Sequence, residues 1–351
     1  MSHPSSSHDD SVLMPPTVTL SDGAREQFDA TVAALRRSAA YPGAEAPTEA
    51  IETHMAWVFL TEEHAYKLKK PIFARLIDYT TAEARRRACY TELELNRRLA
   101  APVYRAVVPL ADTEDGLRLE EEGPPVDWLV KMHRLPRDRM LDVCVEQDTV
   151  QREHVERLAA KLLAFYLGAK PVGWSGDEYR GRLTANLDAK RASLEQPRYS
   201  LDPAAVQAVV EGQTRWLAEH GSLLETRADR VIDAHGDLRP EHICLTDDPM
   251  VIDCLEFDRS LRLLDPLSEL SFLSLECRRL GADWIGETVI AHYRQRTDDD
   301  APTALIPFYE SYHALIRAAI AVWHLDDETY DQTDFWRGQA ENYLRLARER
   351  L

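Results

Sequence analysis

Residues 231–258, VIDAHGDLRPEHICLTDDPMVIDCLEFD, contain two histidines and six aspartates, of which Asp237 and Asp253 are the candidates for chemistry. One apolar run ends at His235-Gly236-Asp237, and a second ends at Asp253, sixteen residues beyond Asp237. A lone loop aspartate usually caps a turn, and a lone His235 could be a buried core histidine. Two carboxylates that each follow a strand-like run instead indicate a Mg²⁺–phosphate site, because hard cations prefer carboxylate oxygens.

The segment between the two aspartates predicts a β-hairpin. The apolar runs HICL and MVID are separated by TDDP, which is a cluster of turn-forming residues. If the turn centres on Asp247 and Asp248, His242 faces Asp253 across the hairpin. The histidine would then lie at the open end, near the loop that carries Asp237.

Composition excludes several classes of protein. The chain has 351 residues, and its formal net charge of −18 argues against a nucleic-acid or anionic-membrane binder, which needs a basic face. No apolar run approaches the roughly 18 residues that cross a bilayer. The N-terminal MSHPSSSHDDSVLMPP lacks the basic and apolar regions of a secretory signal, so we expect a cytoplasmic protein.

Cysteine and glycine spacing narrows the chemistry further. The five cysteines are scattered without a CxxC pair, which predicts reduced core thiols instead of a zinc or redox site. Neither GxGxxG nor GxxxxGK[ST] occurs in the sequence, so Rossmann and P-loop nucleotide sites are disfavoured.

Periodicity changes along the chain and predicts a two-lobed α+β protein. We expect a flexible tail over residues 1–19 and a small, strand-rich lobe with one key helix over residues 20–133. A larger, mainly helical lobe would cover residues 134–351. In the small lobe, a helix begins near Ser21, two strand-like runs flank TEEH, and a helix covers residues 81–100. Long amphipathic helices are predicted in the second lobe over residues 151–167, 178–194, 203–220, 301–325 and 334–351.

His235-Gly236-Asp237, followed by Asp253, resembles the catalytic-loop and metal-aspartate pair of aminoglycoside-phosphotransferase-like kinases, which have a protein-kinase-like fold. The resemblance extends, over about residues 20–345, to an uncharacterised bacterial subfamily of aminoglycoside phosphotransferase family enzymes. The segments that carry it are, in order, ETHMAWVFL, AYKLKKP, ELELNRRLA, HGDLRPEHICL, VIDCLEFD and the run from Arg262 through Asp265 to Glu269-Leu-Ser-Phe-Leu.

The resemblance implies a strand lysine that binds nucleotide phosphates and a helix glutamate that holds the lysine. The candidates are Lys67, Lys69 and Lys70, and Ala-Tyr-Lys67 matches the family's Ala-x-Lys spacing. Strand alternation puts Lys67 and Lys69 on one face and Lys70 on the other. In the following helix, Glu92 shares an apolar stripe with residues 88, 95 and 99, whereas Glu94 lies on the charged face. A carboxylate on a buried stripe needs a cationic partner, which favours Glu92 as the partner of Lys67.

The activity implied by this family is transfer of the γ-phosphate of ATP to a hydroxyl of a small molecule. Asp237 would accept the hydroxyl proton, and Asp253 would hold Mg²⁺. Lys67 would bind the α- and β-phosphates. Backbone groups near Met132 and His133 would contact the adenine edge.

Three features depart from the family pattern. His242 stands where most such kinases have an asparagine metal ligand, so it could bind metal, phosphate or substrate. Arg239 could pair with an acidic neighbour or face the transferred phosphate. The turn TEEH replaces a glycine-rich loop over the phosphates, with Thr53 and His54 as candidate clamps or simple strand-edge residues.

The acceptor would be a sugar, amino sugar or amino alcohol. It could be cationic if Glu256, Asp258, Asp265 and Glu269 line its pocket, although these residues could instead cap helices and fix loops. Tyr312, Arg317 and Trp323 could face the acceptor or belong to the core.

Two alternatives belong to other functional classes. A nucleotide-binding regulatory protein with little transfer activity would share the nucleotide-binding residues. A metal-dependent hydrolase is disfavoured, because the histidines show no HxH or HExxH spacing.

Overall fold

The structure is a computed structural model that describes residues 22–44, 47–74, 77–326 and 333–351. The tail predicted over residues 1–19 lies outside this range. The helices and strands, in chain order, are α1 (Asp22–Leu35), β1 (Glu49–Glu52), β2 (Ala56–Leu60), β3 (His64–Lys69), β4 (Phe73–Ala74), β5 (Ile77–Asp78), α2 (Ala82–Ala100), β6 (Tyr104–Thr113), β7 (Gly116–Leu119), β8 (Pro125–His133), α3 (Leu141–Glu146), α4 (Arg152–Gly168), α5 (Gly176–Leu194), α6 (Pro203–Glu225), β9 (Ile232–Asp233), β10 (Ile243–Cys244), β11 (Met250–Val251), β12 (Leu263–Leu264), α7 (Pro266–Arg279), α8 (Asp283–Arg296), α9 (Leu305–Trp323) and α10 (Thr333–Glu349).

The chain divides into two compact units. Among the described residues, the first unit comprises residues 22–168 and His235–Arg262, and the second comprises Ala169–Ala234 and Leu263–Leu351. The first unit therefore contains the strand-rich N-terminal segment together with the β10–β11 hairpin. Each of the two units is assembled from separate stretches of the chain. The predicted lobe boundary at residues 133 and 134 therefore remains a prediction.

Six strands of the first unit form one antiparallel sheet in the order β1-β2-β3-β8-β6-β7. β2 and β3 form the predicted hairpin, in which Leu60 faces Ala65 and Ala56 faces Lys69. β3 is an inner strand, because β8 pairs with its other edge. Because β3 is central, its side chains project alternately onto the two faces of the sheet, and both faces are covered by other residues.

The two faces of the sheet carry different side chains of β3. On one face, Tyr66 and Leu68 belong to a core cluster that includes Leu35 of α1. On the other face, Ala65 packs with Cys89 of α2. Because side chains alternate along a strand, Lys67 and Lys69 share the α2 face with Ala65.

Helix α2 is the key helix predicted for the small lobe. It begins where Thr81 Oγ1 accepts a hydrogen bond from the Ala84 N–H group at 3.1 Å, which is an N-cap. Its bounds confirm the prediction over residues 81–100. The buried side of α2, which includes Leu93, packs on the sheet next to Val130 of β8.

The second unit is mainly helical. The five long helices predicted for the C-terminal part are confirmed as α4 in the first unit and α5, α6, α9 and α10 in the second. The short strands β9 and β12 pair with each other. Helices α7 and α8 are additional, and residues 266–277 of α7 are all buried. The strand-rich N-terminal part and the helical remainder confirm the predicted α+β class.

The five cysteines are free and buried, as the sequence predicts. Among the described residues, we find no helix with the length and apolar character needed to span a membrane.

Candidate active site

Lys67 lies on β3, and its Nζ atom is 2.9 Å from Glu92 Oε1 on α2. Glu92 is fully buried and Glu94 is exposed, which is the orientation that the apolar stripe predicts. Lys67 Nζ also lies 2.6 Å from Asp253 Oδ1. Burial alone would lower the pKa of Lys67, but the Asp253 and Glu92 carboxylates raise it well above its ordinary value. The structure therefore brings three predicted site residues into one ion-pair network.

Lys69, another of the three candidate lysines, also belongs to this network. Its Nζ atom lies 2.6 Å from Glu92 Oε2 and forms another ion pair with Glu256. The Lys69 side chain is 2% exposed, against 14% for Lys67. Lys67 is therefore the more accessible cation, which favours it as the phosphate-binding lysine. Strand alternation, which puts both lysines on one face, is the signal that pointed to Lys69.

Asp253 follows β11 in a left-handed backbone conformation, with a φ of 62°. Its N–H group donates to the Tyr104 hydroxyl at 3.2 Å, and the next N–H group, of Cys254, donates to Asn96 Oδ1 at 2.9 Å. Burial would raise the pKa of the Asp253 carboxyl, but the Lys67 ammonium outweighs that effect and lowers it. Asp253 is thus an ionised carboxylate, fixed by α2 and β6.

His235 holds the loop before Asp237 and does not face solvent. Its Nε2–H donates to the Ile252 carbonyl at 3.0 Å, and its Nδ1 accepts from the Asp237 N–H group at 3.3 Å. Burial, reinforced by nearby His242, lowers the pKa of His235 to about 3, so the ring is neutral. These contacts favour the core-histidine interpretation and give His235 a positioning role.

Gly236 must be a glycine for two reasons. Its φ is 88°, a left-handed conformation that side chains disfavour. A Cβ atom there would also lie 3.1 Å from both Arg262 Cγ and Leu255 Cδ1. The tight backbone turn between His235 and Asp237 therefore depends on this residue.

Asp237, Arg239 and His242 form a compact cluster. Arg239 Nε lies 3.1 Å from Asp237 Oδ1, and Arg239 Nη2 donates to His242 Nε2 at 3.2 Å. The other ring nitrogen, Nδ1, donates to the Asp237 carbonyl at 2.9 Å. Of the two roles that the sequence leaves open for Arg239, the geometry therefore favours pairing with an acidic neighbour.

His242 lies between the two aspartates. Its Nδ1 is 3.5 Å from Asp237 Oδ2, and its Nε2 is 3.6 Å from Asp253 Oδ2. A metal ion at Nε2 would have to displace the Arg239 hydrogen bond, so the metal-ligand role remains a prediction that this hydrogen bond does not favour.

The register of the β10–β11 hairpin differs from the prediction by one residue. Ile243 faces Val251 and Cys244 faces Met250, so His242 faces Ile252 and not Asp253. The Ile252 N–H group donates to the His242 carbonyl at 2.9 Å. The reason is the connecting loop, residues 245–249, whose odd length centres the turn on a single residue. The predicted proximity of His242 and Asp253 nevertheless occurs, through side chains.

The turn TEEH lies where the sequence predicts it, between the two strands of the β2–β3 hairpin. Because β1 forms an additional strand, TEEH connects the second and third strands, and the first turn is Thr53-His54-Met55. Thr53 Oγ1 donates to the Ala56 carbonyl at 2.9 Å and accepts from the Ala56 N–H group at 3.0 Å. The Thr53 hydroxyl therefore closes this turn, which favours a strand-edge role.

Met132 and His133 lie at the end of β8. Met132 is buried, and His133 is exposed with its ring stacked on His64 at a centroid distance of 5.5 Å. The His133 N–H group donates to the Val103 carbonyl at 2.8 Å. Because this donor is already engaged, the predicted contact with an adenine edge would have to use other backbone groups.

The acidic residues considered for a cationic pocket have structural partners. Glu256 pairs with Lys69, and Asp258 accepts the Ser260 N–H hydrogen bond at 2.7 Å. Asp265 is the N-cap of α7 and pairs with Arg227 at 2.8 Å. Glu269 is buried within α7. These contacts favour the capping and loop-fixing interpretation of the four residues.

The residues considered for the acceptor site on α9 also make structural contacts. Tyr312 and Trp323 are buried, and the Tyr312 hydroxyl accepts from Asn186 Nδ2 at 2.6 Å. Arg317 Nε lies 3.5 Å from Glu276 Oε1. The core interpretation is therefore favoured for this stripe.

The Asp253 carboxylate is the candidate ligand for Mg²⁺ in this cluster. No group of three or more His, Cys, Asp and Glu side chains within the described residues could hold a metal ion by itself. Asp253 nevertheless fits a site completed by phosphate and water, because it offers carboxylate oxygens and its side chain is 43% exposed.

Comparison of sequences gives uncharacterised relatives. No protein-family model matches the chain. Uncharacterised proteins of Mycobacterium bovis and Mycobacterium tuberculosis are 31% identical to it over 276 residues, which is 77% of this chain. The match covers 53% of each relative, so the chain spans about half the length of the curated relatives it matches.

Comparison with solved structures shows that the chain is similar to several kinases. A choline/ethanolamine kinase family protein from Mesorhizobium loti has a TM-score of 0.52 at 15% identity, covering 91% of this chain and 99% of that one. The GDP complex of aminoglycoside 2'-phosphotransferase-IIIa has a TM-score of 0.51 at 12% identity, with coverages of 87% and 93%. Choline kinase LicA from Streptococcus pneumoniae has a TM-score of 0.50 at 16% identity, with coverages of 92% and 99%.

These likenesses define the class of the fold. The chain has a kinase-like fold, with an antiparallel sheet in its N-terminal part and a mostly helical remainder. More particularly, it has the protein-kinase-like fold seen in the choline/ethanolamine kinase and aminoglycoside phosphotransferase structures. The resemblance inferred from the sequence is confirmed at the level of this fold.

Proposed function

We propose that the protein transfers the γ-phosphate of ATP to a hydroxyl of a small molecule, such as a sugar, an amino sugar or an amino alcohol. The observation that carries the proposal is the arrangement around His242, whose two ring nitrogens lie 3.5 Å and 3.6 Å from carboxylate oxygens of Asp237 and Asp253. The Asp237 carboxylate can accept the proton of the acceptor hydroxyl, and the Asp253 carboxylate can hold the Mg²⁺ that binds the phosphates.

Asp237 is the proton acceptor in this proposal. Arg239 holds Oδ1 of the carboxylate, and Oδ2 is the oxygen that would receive the hydroxyl proton. His235 and Gly236 fix the backbone that presents it. The loop thereby orients the acceptor oxygen for in-line attack, and positioning of this kind supplies much of the rate in phosphoryl transfer.

Lys67 and Asp253 serve the nucleotide. Lys67, held by Glu92, would donate hydrogen bonds to the α- and β-phosphates. Asp253 would hold Mg²⁺ through its carboxylate oxygens. When bound, Mg²⁺ supplies positive charge that balances the β- and γ-phosphate oxygens. No covalent enzyme intermediate is required, because the acceptor oxygen attacks phosphorus directly.

The test is an ADP-release assay with ATP, Mg²⁺ and a panel of sugars, amino sugars and amino alcohols. The wild type should release ADP in the presence of at least one acceptor. Asp237→Asn should lower kcat by about 10²-fold or more while binding of ATP–Mg²⁺ is retained.

Binding measured by thermal shift separates this proposal from the regulatory alternative. Stabilisation by ATP–Mg²⁺ without turnover of any acceptor would favour a nucleotide-binding regulatory protein. Absence of ATP–Mg²⁺ stabilisation in the wild type would contradict both.

A further inference from the structure

Lys69 is a buried cation between two carboxylates. It is buried, lies 2.6 Å from Glu92 Oε2 and forms an ion pair with Glu256 Oε1. The Tyr79 hydroxyl donates to the same Glu256 oxygen at 3.1 Å, and the Tyr79 ring centroid lies 5.4 Å from Lys69 Nζ. A buried ammonium is tolerated only when such partners compensate for its lost hydration.

The two lysines form parallel bridges from α2 to the segment after β11. Glu92 of α2 shares one carboxylate between them, through Oε1 to Lys67 and Oε2 to Lys69. Lys67 continues to Asp253, and Lys69 continues to Glu256, three residues further along the same segment. The segment is therefore tied to α2 at two points.

The two bridges differ in what a nucleotide would do to them. In the proposed reaction, Lys67 turns part of its hydrogen bonding to phosphates, so the bridge from Glu92 through Lys67 to Asp253 weakens. The side chains of Lys69 and Glu256 are only 2% and 9% exposed, which keeps the second bridge away from the ligand. The second bridge would persist while the first is in use.

We propose that Lys69 and Glu256 are positioning residues that hold the Asp253 segment against α2 while Lys67 binds the nucleotide. This inference rests on the proposed phosphotransfer function. The Cys254 N–H group, which donates to Asn96 Oδ1 of α2 at 2.9 Å, is a reporter of the same contact because it lies between Asp253 and Glu256.

The first experiment measures nucleotide affinity with and without Mg²⁺ in Lys69→Met and Glu256→Gln. The dissociation constant for ATP–Mg²⁺ should rise about 10- to 100-fold, because the metal-binding carboxylate is displaced. The constant for metal-free ADP should change less than about threefold, because Lys67 and its partner Glu92 remain. A general loss of folding would weaken both constants together.

The matched control is Lys70→Met. Lys70 follows Lys69 in the chain and pairs with Glu52 at 2.6 Å, a carboxylate whose side chain is 39% exposed. The control should bind both nucleotides as the wild type does. If Lys69→Met folds poorly, Glu256→Gln carries the test, because glutamine keeps the size of the side chain and can still accept a hydrogen bond.

The second experiment measures hydrogen exchange and needs no activity. The Cys254 amide should exchange at least about tenfold faster in Lys69→Met and Glu256→Gln than in Lys70→Met. Equal exchange in all three variants would overturn the inference, as would equal losses of affinity with and without Mg²⁺. A wild type that binds no nucleotide would refute the proposed function, whereas the exchange result would still decide whether the second bridge holds the segment.

Discussion

The guanidinium of Arg239 holds the carboxylate of Asp237, with 3.1 Å between Nε and Oδ1. The same guanidinium donates to His242, whose ring in turn donates to the Asp237 carbonyl. The side chain and the backbone of the aspartate are thus fixed by two residues that lie within five positions of it. The proposed proton acceptor is oriented by its own loop.

Replacing Arg239 should impair turnover more than nucleotide binding. Arg239→Gln removes the cation that orients Asp237, and misplacement of a catalytic group by about 1 Å can lower kcat by about 10²-fold. The dissociation constant for ATP–Mg²⁺ should stay within about threefold of the wild type. Steady-state kinetics together with a binding titration measure both quantities.

Arg137→Gln is the matched control for this prediction. Arg137 pairs with Asp142 in an exposed ion pair, so its loss should leave kcat unchanged. A parallel loss of ATP–Mg²⁺ affinity in Arg239→Gln would indicate that Arg239 faces the transferred phosphate instead.

Replacing Asp253 should remove the metal dependence of nucleotide binding. Asparagine tolerates the left-handed conformation at φ 62°, so Asp253→Asn should preserve the backbone while removing the charge. We expect the affinity for ATP–Mg²⁺ to fall about 10- to 100-fold, and a chelator to have little further effect. Isothermal titration with and without a chelator makes the comparison.

Asp248→Asn serves as its control on the same hairpin. Asp248 lies in the loop between β10 and β11 and pairs with Lys161 at 2.8 Å, with its side chain 69% exposed. A wild-type affinity that is indifferent to chelator would contradict the assignment of Asp253.

The buried pair of Arg227 and Asp265 should dominate the stability of the second unit. Asp265 accepts from Nε and Nη2 of Arg227 at 2.8 Å each, and Tyr309 donates to it at 3.0 Å. Asp265→Asn leaves a buried guanidinium without one of its carboxylates, which should lower the free energy of unfolding by about 3–5 kcal/mol. Urea denaturation measures the change.

Glu195→Gln is the exposed counterpart for comparison. It breaks the surface pair with Arg191 at 2.9 Å and should cost no more than about 0.5 kcal/mol. Equal costs for the two substitutions would show that burial adds nothing to the Arg227 pair.

Acid should destabilise the protein through His313. Burial lowers the pKa of this histidine to about 4, and its Nε2 atom lies 2.9 Å from Ser268 Oγ. In the unfolded chain, this histidine has an ordinary pKa of about 6.5 and becomes protonated as the pH falls below that value. In the folded chain it stays neutral until the pH approaches 4, so acid favours the unfolded chain. The stability contributed by neutral His313 is therefore complete above pH 6.5 and declines below it.

The measurement compares unfolding at pH 7 and pH 5. His313→Gln should lose about 2 kcal/mol less than the wild type over this interval, because glutamine does not titrate. The exposed His133, replaced by glutamine, provides the control. An acid loss in His313→Gln that equals the wild-type loss would refute the assignment.

Periodicity predicted the parts of the site that depend on one element at a time. The helical stripe placed Glu92 inside, and the alternation of β3 placed Lys67 on the face that meets it. The pair of Lys69 and Glu256 could not be found in this way, because its residues are 187 positions apart in sequence. Such a contact depends on how the Asp253 segment packs on the sheet.

The sequence did not predict the register of the β10–β11 hairpin or the presence of helix α7, and both failures have local causes. The hairpin register shifted because the TDDP cluster does not reveal whether its loop contains four or five residues. Helix α7 escaped prediction because residues 266–277 are buried on every side, including Ser271 and Glu276. A helix without an exposed face has no amphipathic period to detect.

The network around Glu92 also has an electrical consequence. Lys67 and Lys69 contribute two positive charges, whereas Glu92, Asp253 and Glu256 contribute three negative ones. These five side chains carry a net negative charge, so they would repel a metal-free polyphosphate over the last few ångströms of its approach. In the proposed reaction, the nucleotide would therefore bind as its complex with Mg²⁺. The net charge of the site would thus determine that the metal joins the nucleotide before the nucleotide joins the protein.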